Sequence, residues 1–421
     1  MWRAWWAMPC DEAVSRPAGF AAYLVVTGAY WAFMLTDGAL RMLVLLHFHT
    51  LGFSPVQLAY LFVLYEIAGV VTNLCAGWLA ARFGLTSTLY AGLGLQIIAL
   101  IALAQLDPTW SVTASVVFVM CVQGLSGVAK DLAKMSSKSA VKLLAPDEGD
   151  SLFRWVALLT GSKNAVKGFG FLLGAALLAI LGFQGAIYAM TFVLALLFLL
   201  VILRMPEGLP KGMKGVKFSA VFSKNAAVNR LSLARVFLFG ARDVWFVVGI
   251  PIFFYSVWSD GTLEGNKAAF FMIGTFMAAW VIFYGVIQGI APKLLSGLPV
   301  QSAAGLVISL ALVPMVLAVF VWMQTSSLTV LLIIGLFIFA ALLALNSALH
   351  SYLILRFTTA DRVTLDVGFY YMANATGRLL GTVMSGLSYQ LGGLAACLGV
   401  AAVMLVISAV AARQLPEVRL A

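Results

Sequence analysis

Long apolar stretches recur along the whole chain and limit most strongly what it can fold into. Twelve stretches of the length that crosses a bilayer, about 20 residues, are separated by short polar breaks. Hydrophobic residues make up 63% of the chain and charged residues only 10%, whereas a soluble domain carries about 25% charged residues. Membrane-spanning β-strands would instead alternate over segments of about ten residues. The sequence therefore predicts an all-α polytopic membrane protein, and it excludes a soluble enzyme or a nucleic-acid-binding protein despite a net charge of +10.

The apolar stretches divide the chain into two halves of six helices. A basic linker at 205–225, which also contains Pro and Gly, separates an N-terminal half at 20–204 from a C-terminal half at 226–412. Residues 1–19 and 413–421 are predicted to be cytosolic tails. The predicted spans are 20–47, 55–81, 86–106, 110–133, 151–181, 183–204, 226–257, 267–292, 299–323, 327–355, 362–391 and 393–412.

The positions of Lys and Arg predict the orientation of the spans. Of the 26 Lys and Arg residues, eight lie in the interiors of the predicted spans, Lys267 lies at the outer end of span eight, and the other seventeen lie at cytoplasmic ends or loops. Cytoplasmic loops carry an excess of positive charge, so both termini are predicted to be cytoplasmic. The Trp-rich N-terminal tail lacks the continuous apolar run of a signal peptide.

Charged residues inside the spans are few and unevenly distributed. Eight bases and five acids lie there: Arg41, Lys130, Arg154, Lys163, Lys167, Arg235, Arg242, Arg378, Asp37, Glu66, Asp131, Asp243 and Asp366. A charge at the bilayer centre costs about 2.5 to 3.5 kcal/mol, so these side chains must face a protein interior or a water-filled cavity. Spans three, six, nine and twelve have no interior charge. Every third helix is therefore predicted to face lipid around a central cavity, which is the major-facilitator-type architecture.

The basic residues predict an anionic substrate. Lys163 and Lys167 share one helix face, Arg235 and Arg242 share another, and Arg378 has no acid within one helical turn. Guanidinium groups bind oxyanions bidentately, so the missing partner is predicted to be a multiply charged anion. The candidate substrate-binding residues are Arg41, Lys163, Lys167, Arg235, Arg242 and Arg378.

The carboxylates have two open interpretations. Three are candidates for carrying a coupling proton: Asp37, Glu66 and Asp243. Salt bridges to Arg41 or Arg242 are the alternative, and Asp37, four residues before Arg41, can also close an ion pair within span one. Asp131 and Asp366, near cytoplasmic ends, are predicted to stabilise gates.

Few residue patterns suggest chemistry other than transport. The sequence contains no HExxH or GxSxG motif, and its four cysteines are scattered singly, so no enzyme activity, cofactor, disulfide framework or metal site is predicted. His47 and His49 are predicted to be interfacial, and His350 is predicted to be an interior hydrogen-bonding residue.

Two resemblances to known proteins refine the prediction. The segment at the end of span two, Gly77-Trp-Leu-Ala-Ala81-Arg82-Phe-Gly84-Leu85, resembles the signature loop of the major facilitator superfamily, although Ala81 replaces its usual acid and Leu85 its usual base. Four longer strings resemble ArsJ-type organoarsenical exporters of bacterial arsenic-resistance operons: YWAFMLTDGALRMLVLLHFH at 30–49, YEIAGVVTNLCAGWL at 65–79, LTGSKNAVKG at 159–168 and LFGARDVWFVVGIP at 238–251.

The second resemblance implies a specific cargo. Such exporters carry 1-arseno-3-phosphoglycerate, the ester formed when glyceraldehyde-3-phosphate dehydrogenase uses arsenate in place of phosphate, so that dehydrogenase is the implied functional partner. The implied location is the bacterial inner membrane, in contact with membrane lipid. A cargo with one phosphate and one arsenate group agrees with the basic residues in the spans.

Three other functions remain open from the sequence. An organophosphate exchanger would use similar arginines on spans one and seven, and the direction of flux distinguishes it. A proton-coupled exporter of cationic drugs would favour an acidic cavity, and ethidium efflux tests it. A non-transporting membrane receptor or assembly factor would show no substrate-dependent flux.

Overall fold

The computed structural model describes residues 18–83, 85–144, 151–205, 222–295, 302–358 and 363–416, and no β-strand occurs in these ranges. The N-terminal tail, most of the basic linker, Gly84 of the signature loop and residues 417–421 lie outside the described residues. The helices are α1 (Ala18–Thr50), α2 (Pro55–Tyr60), α3 (Val63–Phe83), α4 (Leu85–Leu103), α5 (Val112–Leu144), α6 (Ser151–Arg204), α7 (Ala226–Val244), α8 (Ile250–Trp258), α9 (Leu263–Leu295), α10 (Ser302–Trp322), α11 (Leu328–Phe357) and α12 (Val363–Arg413).

Ten helical segments within the described residues are long and apolar enough to cross a membrane. Charged residues are few in each of them, and several of their carboxylates, such as Asp37, Glu66 and Asp243, are buried in the protein. The prediction of an all-helical, multi-pass membrane protein is confirmed.

Two of these segments are long enough to cross twice. They run over 43 and 48 residues in α6 and α12, which at 1.5 Å per residue is more than twice the hydrocarbon thickness of about 30 Å. Each contains a glycine with positive φ, Gly182 at 69° and Gly393 at 60°, a conformation that other residues adopt only with strain. Both glycines lie at or next to the break predicted between two consecutive spans.

Other predicted spans differ from the structure in detail. The span predicted at 55–81 is divided into α2 and α3, because Pro55 and a capping box from Ser54 to Gln57 start a separate short helix. The span predicted at 226–257 is interrupted by a π-helical turn, Trp245–Gly249, between α7 and α8. The span predicted at 110–133 continues eleven residues further in α5, to Leu144.

Close packing between helices depends on glycine at equivalent places in the two halves of the sequence. A Cβ on Gly174 of α6 would overlap the carbonyl oxygen of Ala39 in α1, and a Cβ on Gly377 of α12 would overlap that of Val236 in α7. Gly174 follows Gly170 by four residues, and the same spacing separates Gly377 from the next close-packed glycine in α12. Such small-residue motifs let membrane helices approach closely.

We expect Gly174→Ala to destabilise the protein by about 1 to 3 kcal/mol, because the added methyl group forces α1 and α6 apart. The matched control is Gly399→Ala, since a Cβ at Gly399 meets nothing within 4 Å. Thermal unfolding in detergent measures the difference. An equal Tm for the two variants would contradict the packing described here.

The helices without interior charge present apolar side chains at the surface. Ile98 and Ile101 of α4, Leu312 and Val316 of α10, and Val403 in the second part of α12 are all at least half exposed. That every third span faces lipid stays a prediction.

Candidate functional site

Four helices bring three arginines and two carboxylates into one chain of contacts, the central charge cluster: Arg41 of α1, Glu66 of α3, Arg242 and Asp243 of α7, and Arg378 of α12. Glu66 Oε1 lies 3.3 Å from Arg41 Nη1 and 2.5 Å from Arg378 Nη2. Asp243 accepts from Arg242 Nε at 2.6 Å and lies 3.4 Å from Arg378 Nε. Arg378 therefore connects Glu66 with Asp243.

A second group, the lysine cluster, adjoins the first through Tyr65, the residue before Glu66. Lys167 Nζ of α6 lies 2.7 Å from Asp37 Oδ2, and the Tyr65 hydroxyl donates to Asp37 Oδ1 at 2.5 Å. The ammonium of Lys130 in α5 lies 3.9 Å from the centroid of the Tyr65 ring, a cation–π contact.

These contacts correct the predicted pairing. Asp37 does not pair with Arg41 within α1; it pairs with Lys167, and Arg41 pairs with Glu66. Lys167 and Arg378 were predicted to lack a partner, and each has a carboxylate from another helix. The prediction failed because a buried charge requires a counterion and neighbouring helices supply most of these counterions. The alternative of salt bridges to Arg41 and Arg242 is confirmed for Glu66 and Asp243.

Four of the five cations in the clusters are more accessible than the carboxylates they pair with, and the fifth, Lys130, is buried. The side chains of Arg41, Lys167, Arg242 and Arg378 are 13 to 18% exposed, whereas those of their carboxylate partners are 1 to 2% exposed. With Lys130, five bases in the two clusters face three acids: Asp37, Glu66 and Asp243. The clusters therefore carry an excess of two positive charges.

A small pocket adjoins Arg41. Arg41 lines a pocket of about 10 Å³ whose other walls are mainly apolar, among them Phe171 and Phe246. This volume holds about one water molecule. This pocket is too small for an organic anion.

Arg235 lies in a separate polar network that contains no carboxylate among the described residues. Its Nε donates to Asn374 Oδ1 at 2.9 Å and its Nη1 to Ser347 Oγ at 3.3 Å. Gln288 donates to the same hydroxyl at 3.3 Å. The guanidinium carbon lies 3.7 Å from the centroid of Phe239, a ring that Arg242 also contacts at 5.1 Å. The predicted shared face of these two arginines is therefore confirmed.

Sequence reasoning missed the neutral members of this network. Asn164 donates to Gln288 Oε1 at 3.1 Å and so extends the network to α6. The available signal was the repeated motif that contains Asn164 and Asn374, which begins Asn-Ala in spans five and eleven. Amides and hydroxyls are common in membrane helices as packing contacts, so their types alone do not single them out.

The remaining predicted residues lie outside both clusters. Lys163 is half-buried on α6, one turn before Lys167. Asp131 accepts hydrogen bonds from Thr72 Oγ1 at 2.7 Å and Lys134 Nζ at 3.1 Å. His350 is fully buried, as predicted for an interior residue. Neither of its ring nitrogens has a hydrogen-bond partner in the described part of the chain, so the predicted hydrogen bonds are not found among these residues.

No known protein family matches the sequence, and no curated protein was found to match it. Solved structures do match. A POT family transporter in complex with 5-aminolevulinic acid has a TM-score of 0.72 at 14% identity, over 96% of this chain and 97% of that one. A POT family transporter in complex with a thioalcohol-conjugated peptide has a TM-score of 0.71 at 14% identity, over 92% and 94%.

A D-xylose–proton symporter has a TM-score of 0.66 at 14% identity, over 94% of this chain and 97% of that one. These neighbours are transporters and not enzymes. Such low identity establishes the shared fold alone, and the resemblance to organoarsenical exporters stays a prediction. The chain is a multi-pass membrane protein with the major-facilitator-type fold of these transporters.

Proposed function

We propose that the protein is a secondary active transporter that exports 1-arseno-3-phosphoglycerate across the bacterial inner membrane and so confers arsenate resistance. The observation that carries the proposal is the excess of bases over acids in the two clusters, with four of the five bases more exposed than their carboxylate partners. The fold shared with a D-xylose–proton symporter supports secondary transport. In this proposal α6 and α12 each cross the membrane twice, which gives twelve crossings in two six-helix halves with both termini in the cytoplasm.

Each end of the cargo is an oxyanion that suits the basic side chains. Arg41, Arg242 and Arg378 offer planar guanidinium groups that bind phosphate or arsenate oxygens bidentately. Lys167 and Lys163 add point charges from α6, and Arg235 assists from its separate network. Because arsenate and phosphate have nearly the same shape, selectivity rests on the supply of cargo by glyceraldehyde-3-phosphate dehydrogenase.

The charge of the cargo also provides a driving force. Moving one elementary charge across the membrane potential changes the free energy by about 2.3 kcal/mol per 100 mV. The bacterial cytoplasm is negative, so the potential drives a multiply charged anion outward. A coupling proton can act in addition, and Asp37, Glu66 and Asp243 are its candidate carriers.

Cellular arsenic in arsenate-treated, arsenic-sensitive bacteria tests the proposal. The protein and the dehydrogenase are each present or absent, with background dehydrogenase kept low. We expect arsenic to fall only when both are present. An unchanged arsenic content in every combination, with the protein shown to be in the membrane, contradicts the organoarsenical cargo.

A second candidate is an organophosphate exchanger that takes up phosphorylated metabolites against inorganic phosphate. The observation that favours it is the position of Arg41 and Arg242, from α1 and α7, in one charge cluster, since the same donors bind phosphate esters. Uptake of a phosphate ester that depends on internal phosphate, without loss of arsenic from the cells, supports this candidate.

We expect Arg235→Met to raise the substrate concentration for half-maximal export about tenfold, the effect of losing one charged hydrogen bond of about 1.5 kcal/mol. It should destabilise the fold less than Arg242→Met, because Arg235 leaves no carboxylate unpaired among the described residues. Concentration-dependent flux and Tm measure the two effects. Unchanged affinity in Arg235→Met removes this residue from the binding site.

A further inference from the structure

One oxygen of Glu66 accepts contacts from both of its arginines. Arg41 Nη1 and Nη2 lie 3.3 and 3.4 Å from Glu66 Oε1, and Arg378 Nη2 lies 2.5 Å from the same atom. The other oxygen, Oε2, is buried and has no hydrogen-bond partner among the described residues. Three nitrogen donors thus converge on a single oxygen, as they would on one oxygen of a phosphate or arsenate group.

The other two carboxylates of the clusters are held differently. Asp37 uses both oxygens, one for Lys167 and one for Tyr65. Asp243 also uses both, one for Arg242 and one for Arg378. Among these three acids, Glu66 alone is held through one oxygen.

Glu66 also connects the two halves of the sequence. Arg41 belongs to the first half and Arg378 to the second, 312 residues from Glu66. When such a transporter reorients around its central site, these two arginines are carried through a closed state. Buried cations without a counter-charge destabilise that state by several kcal/mol.

We propose that Glu66 is the built-in counter-anion of the empty transporter, which occupies the oxyanion position on Arg41 and Arg378 after the substrate leaves. The empty protein then returns without a second anion, so it performs net export rather than obligatory exchange. This inference rests on the proposed function. It also separates that function from the exchanger, which needs an anion for each return step.

Substrate and Glu66 compete for the same guanidinium groups in this scheme. A displaced Glu66 carboxylate needs another cation nearby. Lys130 is suited to this, because its ammonium lies against the ring of the adjacent Tyr65 and forms no ion pair among the described residues. The site therefore exchanges one negative group for another without leaving either arginine unneutralised.

Proteoliposomes distinguish net export from exchange. Vesicles are loaded with radiolabelled arsenate, glyceraldehyde-3-phosphate dehydrogenase, its nucleotide and glyceraldehyde 3-phosphate, so that the cargo forms inside. In the net arm, release of label is followed with plain buffer outside the vesicles. In the exchange arm, the same mixture without label is present outside. Vesicles without the dehydrogenase give the background in both arms.

We expect the wild-type protein to release label in both arms. Glu66→Gln should lose net release by at least about tenfold, because its empty site holds an uncompensated buried charge, and should keep exchange within about twofold. Glu66→Asp, which restores the charge, should recover net release. The matched control is Glu264→Gln, an exposed acid at the start of α9, which should behave as wild type in both arms.

Several outcomes overturn the inference. If the wild-type protein releases label in the exchange arm alone, it is an obligatory exchanger. The proposed cargo is then kept and the built-in counter-anion is rejected. The role of Glu66 as a counter-anion is also excluded if Glu66→Gln releases label in the net arm as fast as the wild type. The same holds if this variant loses release in both arms. Release no faster than background by the wild type in either arm instead shows that the proposed cargo is wrong.

Thermal unfolding tests the same role without transport. Inorganic phosphate should raise the Tm of Glu66→Gln more than that of the wild type, because the ion replaces the lost carboxylate on Arg41 and Arg378. If phosphate raises the Tm of a folded Glu66→Gln protein no more than that of the wild type, this variant has no vacant oxyanion position on Arg41 and Arg378. This conclusion does not depend on the cargo.

Discussion

Replacing Arg378 with Gln should abolish the proposed export, with a loss of at least about 100-fold, and should lower the free energy of unfolding by about 3 to 5 kcal/mol. Arg378 contacts both Glu66 and Asp243. Its removal therefore takes one positively charged partner from each of two almost fully buried carboxylates. Arg378→Lys keeps the charge but cannot reach both acids with a planar fork, and it should have intermediate activity. Arsenic release from vesicles and Tm in detergent measure these effects.

The control for Arg378→Gln is Arg356→Gln. Arg356 is an exposed arginine in the last turn of α11, so the same change there should leave both export and Tm near the wild-type values. Wild-type export by a folded Arg378→Gln protein would remove Arg378 from the binding site and would leave it as a structural link between the helices.

The second large effect is expected for Lys167→Met, which should also abolish export. The change leaves Asp37 buried with the Tyr65 hydroxyl as its remaining hydrogen-bond donor, and an unpaired buried carboxylate destabilises a fold by about 3 to 5 kcal/mol. Lys293→Met, at an exposed lysine near the end of α9, is the control. Tm and vesicle release are measured for both variants.

A double substitution separates structure from binding at this pair. Asp37→Asn combined with Lys167→Met removes both charges, so stability should return to within about 1 kcal/mol of the wild type, as a double-mutant cycle measures. Export should stay absent because the cation that attracts the substrate is gone. Recovery of export together with stability would show that Asp37 and Lys167 form a structural ion pair only.

Much of the fold follows from the sequence because the membrane acts as a uniform solvent. A stretch of about 20 apolar residues is stable there as a helix, so the sequence predicts where the helices lie. Gly182 and Gly393 provide the positive φ angles at two of the predicted breaks. The absence of charge from α4 and α10 predicts their lipid-exposed faces, because a charge facing lipid is unfavourable wherever it occurs.

The sequence also determined which residues are candidates for the site. Any Lys, Arg, Asp or Glu within a span must face the interior, and Arg41, Lys167, Arg242 and Arg378 all do so. Their burial depends on residue type and on the surrounding apolar stretch, which are local properties of the chain.

The pairing of the charges depends on how the helices pack against one another. Glu66 and Arg378 are 312 residues apart, and their contact depends on how α3 and α12 cross, which no local pattern encodes. The neutral partners of Arg235, Ser347 and Asn374, lie 112 and 139 residues from it in the sequence. The choice of counterions and the shared oxygen of Glu66 are set by helix packing, because ion pairs form only between groups that lie a few ångströms apart in space.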